Sequence, residues 1–155
     1  MADTALCLAS ASPADDQRTI LPTLVPGHLR LAFLPRVFGP RHYGQAEAEV
    51  YGWMGNLCPE YHGGYWQFYD LSNGGFYLAP EAKVTADQAG PVFVVRAPNG
   101  FEETMSYNAA GITATLYAIN SLIWKGADHL EDAFYKLRDF AIEHRESRQI
   151  LRAID

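Results

Sequence analysis

Cys58 and His62 are the one place in this chain where a thiol and an imidazole stand close in sequence, in Cys58-Pro-Glu-Tyr-His62. A Cys-x-x-x-His pair offers two zinc ligands, whereas structural zinc takes about four. The other cysteine is Cys7, and His28, His42, His129 and His144 are scattered. The sequence therefore predicts no metal site and reads Cys58 as a small apolar residue at a helix end. As a nucleophile, Cys58 would need His62 or a distant His as base, and such partners need not be adjacent in sequence. No recognisable catalytic pattern surrounds it, and no G-x-S-x-G elbow supplies a serine instead. Asp15-Asp16, Glu102-Glu103 and Glu131-Asp132 are adjacent acids of the kind that make solvated surface. Gly63-Gly64 and Gly74-Gly75 lack the Lys or helix start of a phosphate loop and read as turn glycines. The expectation is a protein that is not an enzyme and carries no cofactor, with a small Cys58-dependent enzyme as the alternative.

The aromatic run from Tyr61 to Tyr69 could stack nucleobases, with Trp66 and Tyr69 as the platform and scattered arginines around it. Such platforms sit in positive grooves, and the charges within and beside this run are Glu60 and Asp70. The core-strand reading is preferred, and a weak DNA-binding module remains the second alternative.

Composition sets the frame for these residues. The 155 residues suffice for one domain with its own core. Hydrophobic residues make up 48% and charged residues 19%, which predicts a folded chain. Net charge is -6, which speaks against a basic nucleic-acid surface. Two cysteines give no disulfide framework, and reduced thiols suit the cytoplasm. Asp3 and the short apolar run Ala5–Ala9 do not read as a secretory signal, and no apolar run approaches a membrane span.

Several elements must position whatever acts. Residues 1–18, rich in Ala, Ser and Asp, read as a mobile tail ahead of a domain at 19–155. Pro22, Pro26, Pro35 and Pro40 exclude a long helix, and the alternation of Leu29, Leu31 and Phe33 predicts a short extended piece. From Arg41 to Leu57, Ala46, Val50, Trp53 and Leu57 form one apolar helical face, stopped by Pro59. Tyr65–Leu71, the turn Ser72–Gly75 and Phe76–Leu78 read as a hairpin. Pro91–Arg96, the turn Pro98–Gly100 and Phe101–Met105 read as a second one. Ser106 or Asn108 caps an almost wholly apolar helix that runs to about Trp124 and ends at Gly126. Asp128 and Glu131 form a variant capping box for a helix striped by Leu130, Phe134, Leu137 and Ala141, and Arg152–Asp155 closes the chain as a polar turn. Strands and helices are segregated, so the fold class is α+β: an antiparallel sheet of about four strands with three to four helices, as a single domain.

Several of these stretches resemble the ArdB/KlcA family of antirestriction proteins. Arg30-Leu-Ala-Phe-Leu-Pro-Arg-Val-Phe-Gly39 is similar to its opening block. Val50-Tyr-Gly-Trp-Met54 and Leu57-Cys-Pro-Glu-Tyr-His-Gly-Gly64 resemble the second block. Leu71-Ser-Asn-Gly-Gly-Phe-Tyr-Leu-Ala-Pro80 resembles the third and most specific. Ala109-Ala-Gly-Ile-Thr-Ala-Thr-Leu116 and Arg152-Ala-Ile-Asp155 complete the match, which runs in order from about residue 29 to 155. The resemblance implies a mixed α/β fold and a non-enzymatic protein of plasmids and other mobile elements. It implies protection of incoming DNA from type I restriction-modification. The implied partner is a type I restriction-modification enzyme or an associated host factor.

Electrostatic DNA mimicry is not expected. B-DNA carries one charge per about 1.7 Å of axis. Here 18 acids are offset by 12 Lys and Arg and are dispersed from Asp3 to Asp155. Arg36, Trp53, Trp66 and Asp155 are the candidate interaction residues, since exposed aromatics and Arg carry interfaces. Each also has a structural reading: Trp53 on an apolar helix face, Trp66 in a strand, and Arg36 tying a loop down. Asp155, with two carboxylates as the terminal residue, is the one expected to be accessible.

Overall fold

The computed structural model describes residues 19–83 and 90–155; the expected tail, residues 1–18 with Cys7, lies outside them. The apolar helix Tyr107–Trp124 is the axis of the molecule. Ser106 caps it, its Oγ accepting the Ala109 N–H at 3.1 Å, as its type at that position suggested. Both faces of the helix from Ala109 to Leu116 are buried, which explains its lack of amphipathic pattern.

Two antiparallel sheets lie against it: β1 (Pro22–Leu24), β2 (Trp66–Leu71) and β3 (Phe76–Pro80) in that order, and separately β4 (Val92–Arg96) with β5 (Glu102–Ser106). The expectation of about four strands in one sheet is corrected to five strands in two sheets among the described residues. The reason is that β3's outer edge is already occupied. The Thr115 hydroxyl accepts the Leu78 N–H at 3.2 Å and shares its proton between the carbonyls of Leu78 at 3.2 Å and Gly111 at 2.8 Å. The backbones meet so closely that a Cβ on Gly111 would lie 2.4 Å from the Ala79 Cβ. No strand can pair where the helix sits, so β4 and β5 pair with each other. Both hairpins turn where the sequence placed them. Gly74 and Gly100 take φ of 87° and 89°, and the Oδ1 atoms of Asn73 and Asn99 accept the N–H two residues on.

The helices are α1 (Arg30–Phe38), α2 (Tyr43–Leu57), α3 (Tyr107–Trp124), α4 (Glu131–Glu143) and α5 (Ser147–Ile154). Among the described residues there are five, against the expected three to four. The extended piece predicted at Leu29–Phe33 is instead the 3-10 turn Gly27–Leu29 running into α1, with Pro35 inside the helix. A proline in a helix interior costs about 3 kcal/mol. Burial offsets it: Phe33 stacks on Phe68 at 4.9 Å, and Phe38 meets Phe76 edge-on at 4.9 Å. In α2 the buried set is Ala46, Val50, Met54 and Leu57, so Met54 takes the core position expected of Trp53. No side-chain cap forms at Asp128; a 3-10 turn, Asp128–Leu130, leads into α4.

The closing polar turn is α5, anchored by buried Ile150 and Ala153. The Glu146 carboxylate holds its start by accepting the Ser106 N–H at 2.8 Å and hydroxyl at 2.5 Å. Beside it, His144 Nδ1 accepts the Glu146 N–H at 3.0 Å, so the ring proton resides on Nε2, which donates to Asn108 Oδ1 at 3.0 Å. Asn108 in turn donates to the Tyr77 hydroxyl at 2.9 Å. Among the described residues no helix is long and apolar enough to cross a membrane.

Candidate functional site

The structure separates the four candidate residues. Trp66 is buried in the core at 3% exposure, its indole N–H donating to the Tyr61 hydroxyl at 2.6 Å. It is unavailable to a partner. Arg36 reaches from α1 to β2, where one guanidinium nitrogen donates to both Asp70 oxygens at 2.9 and 3.1 Å. Both side chains are well exposed, so the pair is worth about 0–1 kcal/mol and works as a tether.

Trp53 is tied to the end of α5, near Asp155, by a residue that the sequence did not single out. Trp53 is half-buried and stacks on Tyr117 with ring centroids 4.5 Å apart and planes 23° apart. The Tyr117 hydroxyl donates to the Ala153 carbonyl at 2.6 Å, two residues before exposed Asp155. Burial pushes the Tyr117 phenol up, which keeps it a proton donor. This links α2, α3 and the end of α5.

The stacked pair forms a wall between two concavities. One, of about 350 Å³ between α2 and α3, is lined by Gln45, Ala48, Gly52, Trp53, Asn56 and Ser121, among others. Its one carboxylate, Glu49, is paired with the Lys125 ammonium. The other, of about 170 Å³, is lined by Leu116, Tyr117, Asn120, Phe134 and Ile154. Tyr117, Asn120, Ser121 and Trp124 share one stripe of α3, at spacings of three and four, where the buried helix surfaces. Trp124 is 85% exposed. The sequence did show this signal, as the break of polar and aromatic residues in an otherwise apolar helix.

The arrangement suits contact more than catalysis. Cys58 is fully buried, and burial, followed by the Glu60 charge, pushes its thiol up to about 12. A nucleophilic thiolate is thus disfavoured at neutral pH. His62 is exposed, and among the described residues no group of three or more His, Cys, Asp or Glu is placed to hold a metal. The stacking platform fails as well. Trp66 is in the core, and Tyr69 lies flat on Tyr77 at 4.6 Å. Exposed Tyr65 is occupied by the Arg30 guanidinium, 4.6 Å from its centroid.

A family model described as antirestriction protein matches residues 59–155. This chain belongs to the ArdB/KlcA family of antirestriction proteins. An Escherichia coli antirestriction protein KlcA is 47% identical over 143 residues, covering 88% of this chain and 94% of the relative. The putative antirestriction protein YubI of Escherichia coli K12 is 36% identical over 135 residues, covering 81% and 89%. A solved structure from work on KlcA and ArdB superposes with a TM-score of 0.77 at 43% identity, covering 88% of this chain and 95% of that one. That work describes a novel fold and antirestriction activity against type I DNA restriction systems in vivo but not in vitro. The ArdB/KlcA resemblance and the α+β class read from the sequence therefore both hold.

Proposed function

We propose that this chain lowers type I restriction in the cytoplasm by a non-catalytic protein contact. Residues 19–155 would be its working domain, and the contact face would be built on Trp53, Tyr117 and Trp124, with Asp155 at its border. The observation that carries this reading is the stacked Trp53–Tyr117 pair between two concavities, beside a Trp left 85% exposed. Aromatic residues at concave, weakly charged surfaces dominate protein interfaces. The groove's carboxylate is neutralised by Lys125, which leaves little charge for DNA to meet or for a DNA mimic to present. The relative's activity in vivo but not in vitro supports a contact that needs a cellular component beyond the purified restriction enzyme. A host factor associated with that enzyme fits this behaviour.

The test is protection of unmodified phage or plasmid DNA in cells carrying a type I system. Wild-type chain should restore transfer. Trp124→Ser, at an exposed position, should leave the melting temperature unchanged and reduce protection about tenfold, the equivalent of one interface contact of about 1.4 kcal/mol. No protection by wild type across several type I systems would sink the functional reading. Full protection by Trp124→Ser together with Asn120→Arg would remove the face while leaving the function.

A further inference from the structure

A third concavity carries a different chemistry. It encloses about 440 Å³ where the start of α2 faces the α3–α4 corner, and Gly39, Pro40, Arg41, His42, Gly126 and His129 line it. Three of the six lining residues bear or accept positive charge, and none carries a carboxylate. This happens in a chain whose net charge is -6. Among the described residues Arg41 has no carboxylate partner, and the two imidazoles face each other with centroids 5.2 Å apart. His129 Nε2 lies 2.8 Å from the Phe38 carbonyl oxygen, and a carbonyl only accepts. The proton therefore sits on Nε2, which fixes the ring and leaves Nδ1 unengaged. Asp128, the residue before His129, is exposed and outside the lining.

Past the cleft, the first turn of α2 is uncapped and lies outside the lining. Tyr43 N–H returns to the Gly39 carbonyl at 3.1 Å, and the next amide with a partner outside the helix is Ala46, on the His42 carbonyl at 2.8 Å. Between them, the amides of Gly44 and Gln45 have no acceptor among the described residues. His42 provides no side-chain cap, and no acid occupies the first turn of α2.

We infer that this cleft binds a terminal phosphate group. A tetrahedral dianion presents oxygens in several directions, and the donors here converge from separate elements. Arg41 brings a planar fork of permanent charge, His42 brings a second imidazole, and His129 donates from Nδ1 once that nitrogen takes up a proton with the anion, Nε2 staying on the Phe38 carbonyl. A free nucleotide and the 5′-end of a DNA strand both carry this group. The inference stands apart from the proposed protein contact, because it rests on different residues.

The test is amide and imidazole NMR of the full chain, titrated separately with inorganic phosphate, AMP, a 5′-phosphorylated DNA duplex and the same duplex without the phosphate. Sodium chloride of matched ionic strength is the control. Saturable shifts at Arg41, His42, Gly126 and His129 are expected with the first three. Arg41→Ser should weaken them about tenfold or more, the scale of one charge-assisted hydrogen bond. Its melting temperature should not change, since Arg41 is exposed. His129→Gln tests the imidazole independently. Tighter binding of AMP would identify a nucleotide as the source, and tighter binding of the duplex a DNA end; either supports the site. Equal shifts from sodium chloride, equal shifts from the unphosphorylated duplex, or unchanged affinity in Arg41→Ser would overturn it. So would shifts caused by zinc ions and not by phosphate.

Discussion

The three-stranded sheet has two outer edges, and they are closed by different means. Residues 22 and 24 point their backbone groups away from β2, as the bonds Ser72 N–H to Leu21 and Val25 N–H to Phe68 require. Pro22 has no N–H, and Pro26 follows, so Leu24 offers the single outward donor between them. On the other side residues 76, 78 and 80 point outward, and Pro80 has no N–H. Leu78 does have one, and Thr115 takes it. The open edge is protected by what it lacks, which many sequences could supply. The buried edge is protected by one hydroxyl at one position and by a glycine that admits the helix. Tolerance to substitution should differ accordingly.

The largest effect should come from Gly111→Val. Its branched side chain has no space against Ala79 and the Leu78 carbonyl, and a destabilisation of about 3 kcal/mol is expected in urea unfolding. A loss under about 0.5 kcal/mol would mean that helix and edge can separate cheaply. Thr115→Val keeps the shape and removes the hydroxyl, leaving the Leu78 N–H buried and unpaired at about 1–3 kcal/mol. Thr115→Ser should recover most of that, and an equal loss in both variants would assign the effect to packing.

The third test loosens the sealing helix from its first turn. Burial holds His144 below its ordinary value of 6.5, outweighing the raising effect of Glu146, with Arg145 lowering it further. Between the lowered value and 6.5 the unfolded chain binds more protons than the folded one. Stability should therefore be complete above about pH 6.5 and decline as pH falls through the window beneath it. Protonation at Nδ1 would also displace the Glu146 N–H. Thermal melts of wild type and His144→Gln across that window should converge in slope only if another group is responsible. The smallest effect is expected at the open edge. Pro22→Thr should change stability by less than about 1 kcal/mol, while self-association measured by light scattering rises. No increase in association would show that the prolines are dispensable there.

The same contrast explains how far the residues could be read. Both hairpin turns were legible because Asn73-Gly74 and Asn99-Gly100 act within a few residues of themselves. Helix α1 was not, because Pro35 and the alternation of Leu29, Leu31 and Phe33 point away from a helix that distant residues such as Phe68 and Phe76 stabilise. Helix α5 was missed because Ile150 and Ala153 are too few to make a pattern. In the candidate site, Trp53 and Asp155 were visible singly. The link from Trp53 to the end of α5 depends on Tyr117, whose Ala153 partner lies 36 residues away. Trp66 was misplaced among the contact residues because an aromatic strand residue looks alike in sequence whether buried or exposed.

The seal on β3 also sets an order in time. Thr115 lies 37 residues beyond Leu78. At a synthesis rate of about 5–20 residues per second, Leu78 leaves the ribosome roughly two to seven seconds before the side chain that covers it. During that interval Phe76–Pro80, apolar on both faces in the finished molecule, is a nascent strand with an unclaimed donor. Newly made chain is thus most exposed to aggregation before its central helix emerges, and conditions that slow translation between residues 80 and 115 should lower soluble yield without altering the folded protein.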